Sequence, residues 1–320
     1  MIHLFNGFQD PFGGSELKTF ELYRLLGAEA GARLWAASSR ASDELMRRFP
    51  IRRISPLLRQ VPDGGTYVFI GAHWRNKTWP YLIPRPRRLI YDFSTFHPKV
   101  MALTTRMPAM LGWPGAELVL VSDFQKSMLQ ADGVVHPSPI DIERFSPQLE
   151  KGGGAFTIGR MSRDMPDKHH PDDVSLYEAL LAKGVAVRIQ GGTQLKDRLA
   201  PHPQLELLPV GQFAAEKFLP TLDVFYYRTG SHVETFGRVV IEAMACGLPV
   251  VCHSHGGYAD HISHGENGFL FETTQQAAQI LAELKADSAL RATVGQRARQ
   301  TVEQLFSPQA LQQRLDFYRH

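Results

Sequence analysis

The fold of this chain is decided by the stretch His232-Val-Glu-Thr-Phe-Gly-Arg-Val-Val-Ile-Glu-Ala-Met-Ala-Cys-Gly-Leu-Pro-Val-Val251. Residues 238–245 form a helix-favouring run, and Gly247 and Pro249 follow in the order that commonly ends a helix. The run Pro-Val-Val-Cys that comes next is typical of a short buried strand, and a Gly-Gly pair follows it. This order predicts a compact αβ unit with a glycine loop where backbone can approach a ligand closely.

Two glutamates flank the start of the predicted helix. Glu234 lies just before Gly237, and Glu242 is five residues into the helix. The first turn of a helix offers backbone N–H groups and the positive end of the helix dipole, which together bind anions. Acceptor oxygens on both sides of an anion suit a ligand with hydroxyl groups on both sides of a phosphate, such as a nucleotide sugar. The alternative is that both glutamates only compensate the helix dipole.

The segment from Glu234 to Phe271 resembles the C-terminal domain of family 4 of the glycosyltransferases, also called glycosyl transferases group 1. Members carry a Glu, seven residues, a second Glu, then Ala-Met-Ala-x-Gly-x-Pro-Val-Val and a Gly-Gly loop. This chain matches the pattern with Glu234, the run 242–251 and Gly256-Gly257, and the later run 267–270, Asn-Gly-Phe-Leu, also fits. The resemblance implies a retaining hexosyltransferase of GT-B fold that needs neither a metal nor a cofactor.

The implied reaction moves a hexose from a UDP- or GDP-linked sugar to an acceptor hydroxyl, in polysaccharide, lipopolysaccharide or glycolipid synthesis. The implied partners are therefore a nucleotide sugar and a saccharide or lipid-linked acceptor. Three alternatives stay open: an inverting GT-B enzyme, a nucleotide-sugar epimerase, and an inactive relative that serves as a binding or scaffold protein. The sequence also does not determine whether the base of the donor nucleotide is uracil or guanine.

Short apolar strands alternate with longer amphipathic segments along the chain, which predicts an α/β protein with mainly parallel sheets. Two such series are separated by residues 134–147, which hold three prolines and predict a hinge. We therefore expect two Rossmann-like domains facing across a cleft. Residues 1–145 would form the acceptor-side domain and residues 146–307 the nucleotide-sugar domain, with a last helix at about 308–320 packing on the first.

The resemblance assigns residues to the two ends of the donor. Glu234 would contact the sugar, together with His97 or its rival Asp92, and His73 is a weaker candidate. The diphosphate would be bound by two cations, two glycines of the first domain and the start of the 238–245 helix: Arg160, Lys168, Gly13, Gly14, Phe236, Gly237 and Arg238. Arg163 is an alternative to one of the two cations. The ribose and base would be bound by Glu242, Gly191, Gln212 and Phe213.

Charge is distributed unevenly between the two predicted domains. The chain carries a net charge of +3, yet residues 1–145 hold 18 Lys and Arg against 13 Asp and Glu. This excess predicts either peripheral contact with an anionic membrane or acidic acceptor, or simply a solvated face. No nucleic-acid motif accompanies the arginines, so nucleic acid is not an expected partner.

The two cysteines, Cys246 and Cys252, lie in core-like patterns, which favours free thiols in a cytoplasmic protein. The basic charge of the first domain predicts an alternative location for that protein, at the inner face of the membrane. The His169-His170 and His253-x-His255 pairs lack a second set at ligand spacing, so no metal site is expected.

Overall fold

The computed structural model describes residues 1–27, 31–71, 77–147 and 154–320. They divide into two compact units. Unit 1 comprises Met1–Ile140 together with Pro308–His320, and unit 2 comprises Asp141–Ser307.

Unit 1 is built on a seven-stranded sheet in the order β3-β2-β1-β4-β5-β6-β7, and every pair of neighbours is parallel. The strands are β1 (Ile2–Asn6), β2 (Ala32–Ala36), β3 (Ile51–Arg53), β4 (Thr66–Ile70), β5 (Arg88–Phe93), β6 (Ala116–Leu120) and β7 (Val134–Val135). The helices between them are α1 (Gly14–Leu26), α2 (Asp43–Arg48), α3 (Pro98–Met110) and α4 (Asp123–Leu129).

Both faces of this sheet are covered, because alternate residues of each strand point to opposite faces. In β1, Leu4 joins the cluster that α1 covers, whereas Phe5 joins the cluster on the other face with Tyr67 and Trp113. A parallel sheet buried on both faces favours strands that are mainly apolar. All five residues of β1 are buried, and its two polar side chains, His3 and Asn6, form hydrogen bonds there.

Unit 2 repeats this plan with a six-stranded parallel sheet in the order β10-β9-β8-β11-β12-β13. Its strands are β8 (Thr157–Met161), β9 (Ala186–Gln190), β10 (Leu205–Leu208), β11 (Val224–Tyr227), β12 (Val250–His253) and β13 (Phe269–Phe271). Its helices are α5 (Asp173–Ala182), α6 (Ala215–Phe218), α7 (Arg238–Ala245), α8 (Thr274–Ala286) and α9 (Ser288–Leu305). The last helix of the chain, α10 (Pro308–Arg319), belongs to unit 1.

The predicted fold class is confirmed, with two parallel sheets in an α/β chain. Two strands were not predicted. The edge strand β3 carries the exposed Arg52 and Arg53, so it lacks the apolar pattern of a buried strand. The strand β7 lies within the predicted hinge, where it pairs with β6. Within the described residues, no helix is both long and apolar enough to cross a membrane.

Candidate active site

The candidate site of unit 2 lies where the strand order reverses. Strands β8 and β11 are neighbours in the middle of the sheet, and their connections lead to opposite edges. In open parallel sheets, ligands bind beyond the carboxyl ends of the strands at such a point. The segments that follow β8 and β11 carry Lys168 and Glu234, so the topology brings together two residues that are 66 positions apart.

Two side chains contact the same carboxylate oxygen of Glu234, Oε1. Lys168 Nζ lies 2.5 Å from Glu234 Oε1, and the Tyr227 hydroxyl donates to the same atom at 2.7 Å. The ring Nε2 of His232 stands 3.7 Å from that oxygen. Within the described part of the chain Oε2 receives no hydrogen bond, so this oxygen is available to a ligand.

The carboxyl group of Glu234 is ionised at neutral pH. Burial by itself raises its pKa, but the nearby ring of His232 and the charge of Lys168 together outweigh burial, so the pKa lies well below its usual range. For Lys168, burial lowers the pKa and the Glu234 charge opposes that change. The site therefore presents a charged acceptor for hydroxyl groups beside an ammonium group.

The structure places the side chain of Arg160 in the interior of unit 2. It is only 1% exposed, and its guanidinium donates to the backbone carbonyls of Arg228 at 2.5 Å and of Lys168 at 2.7 Å. These bonds fix the backbone that carries Lys168, and the contact of Arg160 with a diphosphate remains a prediction. Arg163 on the same loop is exposed, and its role as the second cation remains a prediction.

Tyr227 is a site residue that the sequence reading missed. Its hydroxyl holds Glu234, and its ring lies 5.0 Å below the guanidinium carbon of Arg160. The contacts therefore link four residues in a ring, in the order Arg160, Lys168, Glu234 and Tyr227. The only sequence feature that could have identified Tyr227 is its position. It is the last residue of β11, and ligands bind beyond the carboxyl ends of parallel strands.

The helix α7 begins directly after this cluster. Gly237 adopts a left-handed conformation with φ 75° and ψ 56°, and its carbonyl accepts the amide of Val240. A Cβ at this position would lie 2.5 Å from the ring of Tyr258, so only glycine fits. The ring of Phe236 is buried against His261, so any contact with a phosphate would come from its backbone.

Glu242 points from α7 into a buried environment. Arg238 Nη2 lies 3.3 Å from its Oε1, one turn earlier on the helix. Burial raises the pKa of Glu242, while the charge of Arg238 opposes this. The ribose contact of Glu242 and the diphosphate contact of Arg238 remain predictions.

The glycine loop after β12 is fastened to the Glu234 segment. The Gly257 amide donates to the backbone carbonyl of Glu234 at 2.9 Å. At Gly256 a Cβ would lie 2.6 Å from the ring of Tyr258. The two parts of the sequence motif are therefore joined in the structure, because the glycine loop holds the backbone of Glu234.

On the predicted base side, the end of β9 holds a neighbouring loop. The Gln190 side-chain amide exchanges two hydrogen bonds with the backbone of Phe213, at 2.9 and 3.0 Å. The side chains of Gln212 and Phe213 are exposed on that loop, whereas Gly191 is buried against Ser162. An exposed aromatic ring on a fixed backbone can stack on a base, and the base contact remains a prediction.

In unit 1, the structure separates the predicted sugar contacts. His97 is exposed at the start of α3. Asp92 is fully buried, with Lys18 Nζ at 2.6 Å and the Tyr318 hydroxyl at 3.2 Å. Both oxygens of Asp92 are used inside the core, whereas His97 is open to solvent, and the choice between the two as a sugar contact remains a prediction. His73 lies outside the described residues.

The first glycine loop already holds a carboxylate. Glu16 Oε2 lies 2.2 Å from where a Cβ of Gly13 would stand, and the Ser15 hydroxyl donates to it at 2.7 Å. A diphosphate at Gly13 and Gly14 would be repelled by this charge. This charge favours hydroxyl groups over a phosphate at the loop, and the diphosphate contact of the two glycines remains a prediction.

Other polar clusters add no further site. Within the described ranges, no group of three or more His, Cys, Asp or Glu side chains could hold a metal ion. Cys246 and Cys252 are buried free thiols, and burial raises the pKa of Cys246 to about 12. Both thiols are therefore protonated and fill space in the core.

Comparison with solved structures defines the class of this fold. The structure of Anabaena HepE in complex with UDP and glucose aligns with a TM-score of 0.74 at 19% sequence identity, over 99% of this chain and 98% of that chain. The two units thus have the GT-B fold of glycosyltransferases, as predicted. Residues 204–301 match the family model of glycosyl transferases group 1, so unit 2 carries this family's domain and the resemblance is confirmed.

Curated relatives are similar over part of their length. The capsular polysaccharide biosynthesis glycosyltransferase CapM of Staphylococcus aureus is 28% identical over 172 residues, which is 50% of this chain and 45% of CapM. The D-inositol 3-phosphate glycosyltransferase of Geodermatophilus obscurus is 30% identical over 199 residues, covering 52% of this chain and 42% of that protein. The matched segment spans less than half of either relative.

Proposed function

We propose that this chain is a glycosyltransferase that moves a hexose from a nucleotide-diphosphate sugar to an acceptor hydroxyl, with retention at the anomeric carbon. The observation that carries the proposal is the cluster of Glu234, Lys168 and Tyr227 just ahead of the start of α7. It places a fixed carboxylate, an ammonium group and a helix N-terminus within one site. These groups match the hydroxyls of a sugar and the charge of its diphosphate.

In the proposed reaction, the acceptor oxygen attacks the anomeric carbon on the face from which the diphosphate leaves. The bond from the anomeric carbon to the diphosphate oxygen breaks, and a phosphate oxygen takes the acceptor proton. Negative charge builds on the leaving diphosphate, and the Lys168 ammonium and the α7 dipole stabilise it. Glu234 binds sugar hydroxyls and is not a proton donor, because its low pKa keeps it ionised.

The donor nucleotide is proposed to be a UDP-linked sugar, with a GDP-linked sugar as the alternative. The solved HepE complexes hold UDP, UDP with glucose, and UDP-glucose, which supports the first choice. The likeness to CapM supports an acceptor in surface polysaccharide synthesis. Gln212 and Phe213 would contact the base, and Glu242 the ribose.

Thermal shift with UDP, GDP, UDP-glucose and GDP-mannose tests the donor class. We expect one nucleotide series to raise the unfolding temperature in proportion to the logarithm of its concentration. A chain that shows no shift with any nucleotide or nucleotide sugar would contradict the proposal. Product stereochemistry from NMR coupling constants then separates retention from inversion.

The Glu234→Gln variant tests the sugar contact. It keeps the size of the side chain but removes the charge that pairs with Lys168, so we expect the transfer or donor-hydrolysis rate to fall by about a hundredfold. UDP itself should still bind, because it has no hexose. The matched control is Glu272→Gln, an exposed carboxylate at the end of β13 that should leave the rate unchanged. Equal rates for Glu234→Gln and wild type would remove Glu234 from the mechanism.

A further inference from the structure

Unit 1 displays two leucines with almost no protein contact. Leu57 is 97% exposed and Leu58 is 77% exposed, at the tip of a loop between β3 and β4. The loop is closed at its base, because the backbones of Ser55 and Gln60 exchange hydrogen bonds at 2.9 and 3.0 Å. Two adjacent leucines held outward by a closed loop form a compact apolar projection.

A second apolar pair emerges over the same face of the sheet. Tyr81 and Leu82 are 62% and 61% exposed at the end of a short helical turn. The residues that flank the two loops all pack against one hydrophobic cluster, the one that contains Phe5 and Tyr67: Ile54, Val61, Trp79 and Ile83. We call Leu57, Leu58, Tyr81 and Leu82 the apolar tips of this face.

Arginines accompany the apolar tips. Arg59 follows Leu58 directly, Arg85 and Arg87 follow Leu82, and all three side chains are exposed. Arg52 is exposed on β3, with its guanidinium carbon 5.9 Å from the Trp35 ring of the same cluster. Within the described ranges, none of these four arginines forms a salt bridge with an acidic side chain, so no carboxylate of the protein described there neutralises their charges.

We propose that the apolar tips and these arginines dock unit 1 on the surface of a membrane rich in anionic lipid. Leucine and tyrosine side chains would enter the boundary between headgroups and acyl chains, and the guanidinium groups would pair with lipid phosphates. A second copy of the chain is a poorer occupant, because a symmetric contact would bring the same arginines face to face. The proposal extends beyond sugar transfer and does not rest on it.

The two kinds of residue make separable contributions to binding. An arginine near an anionic surface strengthens binding by about fivefold, and this effect is screened by salt. Burying a leucine strengthens binding by about tenfold or more and is insensitive to salt. Vesicle binding should therefore need both anionic lipid and the apolar tips.

Vesicle flotation tests the proposal with the full chain. Wild type should float with phosphatidylcholine vesicles that contain phosphatidylglycerol, and not with phosphatidylcholine alone. The double variant Leu57→Glu, Leu58→Glu should lose at least tenfold in partition coefficient. The variant Arg59→Gln, Arg85→Gln should lose about 25-fold at low salt and little at high salt. The control is Met128→Glu, which alters an apolar side chain on α4 that is 54% exposed, and this variant should bind like wild type.

The altered side chains are exposed, so the variants should keep the wild-type unfolding temperature and UDP binding. These measurements separate failure of docking from failure of the proposed sugar transfer. The proposal is overturned by wild type that does not float with anionic vesicles, or by a leucine double variant that floats equally well. It is also overturned if the leucine variant only shifts a dimer to a monomer in size-exclusion chromatography, which would assign the face to a second copy.

Discussion

Glu234 owes its charge to its neighbours. A carboxylate that is 17% exposed would normally have a raised pKa, yet Lys168 and His232 keep it ionised. Because Lys168 and Tyr227 hold Oε1, the orientation of the carboxylate is fixed before any ligand arrives. An acceptor fixed in advance loses little entropy when a sugar binds.

The Tyr227→Phe variant tests this preorganisation. It removes the hydroxyl that donates to Glu234 and keeps the ring under Arg160, so we expect a loss of about 1–2 kcal/mol in stability. The transfer rate should fall about tenfold, since the carboxylate is held by one contact fewer.

The matched control is Tyr226→Phe, whose hydroxyl donates to Asp173 at 2.7 Å. It should lose similar stability without a change in the affinity for the nucleotide sugar. Equal effects of both variants on the rate would mean that Tyr227 acts only through stability.

The charge of Glu234 also predicts a pH dependence of stability. Its folded-state pKa is lowered, so its stabilising contribution is fully present above the unfolded pKa of about 4.3 and is lost as pH falls towards the folded pKa. The free energy of unfolding of wild type should exceed that of Glu234→Gln by about 3 kcal/mol at pH 7, because the variant leaves Lys168 buried without its partner.

Urea unfolding followed by circular dichroism at pH 7, 5 and 3 measures this difference. It should be equal at pH 7 and 5 and smaller at pH 3. A difference that grows as pH falls would contradict the assigned pKa direction.

At the residue scale, the sequence predicted which residues lie together more reliably than it predicted the directions of their side chains. Glu234 and Lys168 were found from the motif and do lie together. Arg160 was predicted on the same grounds, but its guanidinium turns inward, since the carbonyls of Arg228 and Lys168 and the ring of Tyr227 offer it partners there. The side-chain direction depends on packing that no local pattern encodes.

At the scale of elements, the start of α7 is the proposed anion-binding part of the site. Gly237 lets the chain turn sharply from the Glu234 segment into the helix. Tyr258, from the glycine loop after β12, packs where a Cβ would stand. The two glycine motifs are thus coupled through a single aromatic ring.

The Gly237→Ala variant should therefore disturb both motifs. Its Cβ would meet Tyr258 at 2.5 Å and its φ of 75° is strained for alanine, so we expect a loss of about 3 kcal/mol in stability and weaker UDP binding.

Gly184→Ala is the control, because it also has positive φ, 68°, but open space around the added Cβ. It should lose only about 1 kcal/mol and bind UDP normally. Similar losses in the two variants, measured by thermal unfolding and calorimetric titration, would show that the contact with Tyr258 is unimportant.

Elements with a strong hydrophobic pattern are the most predictable from sequence. Strand β11 is an example, because all four of its residues are hydrophobic and buried. Strand β3 was missed because its position at the sheet edge leaves two arginines in solvent. Strand β7 was missed because two residues beside a proline-rich run carry too little pattern.

At the scale of the whole molecule, unit 1 is completed by the end of the chain. Asp92 on β5 binds Lys18 of α1 and Tyr318 of α10, which are 74 and 226 positions away. Arg88 donates to the carbonyl of Phe317 and lies 4.6 Å from its ring. A carboxylate at the centre of the sheet thus joins three distant segments.

Asp92→Asn should destabilise unit 1 by about 3–5 kcal/mol, because it removes the carboxylate charge that pairs with the buried Lys18 at 2.6 Å. The chain has four tryptophans, all before residue 114, so tryptophan fluorescence during urea unfolding reports unit 1 selectively. UDP binding by unit 2 should be retained in the absence of urea.

The control is Asp43→Asn, which removes an exposed partner of Arg53 and should cost less than about 1 kcal/mol. If Asp92→Asn lowered the transfer rate without lowering the free energy of unfolding, Asp92 would be supported as a candidate for contact with the sugar.

The sequence by itself determined the α/β class, the two parallel sheets and the Glu234 motif, because apolar periodicity and glycine spacing are local properties of the chain. Only the tertiary structure decided that Tyr227 joins the site, that Arg160 and Asp92 turn inward, and that Glu16 occupies the first glycine loop. Each of these depends on partners that are distant in sequence or on competition among buried polar groups for hydrogen bonds. Such competition is settled by three-dimensional packing, where an unpaired buried charge costs more than any local preference can offset.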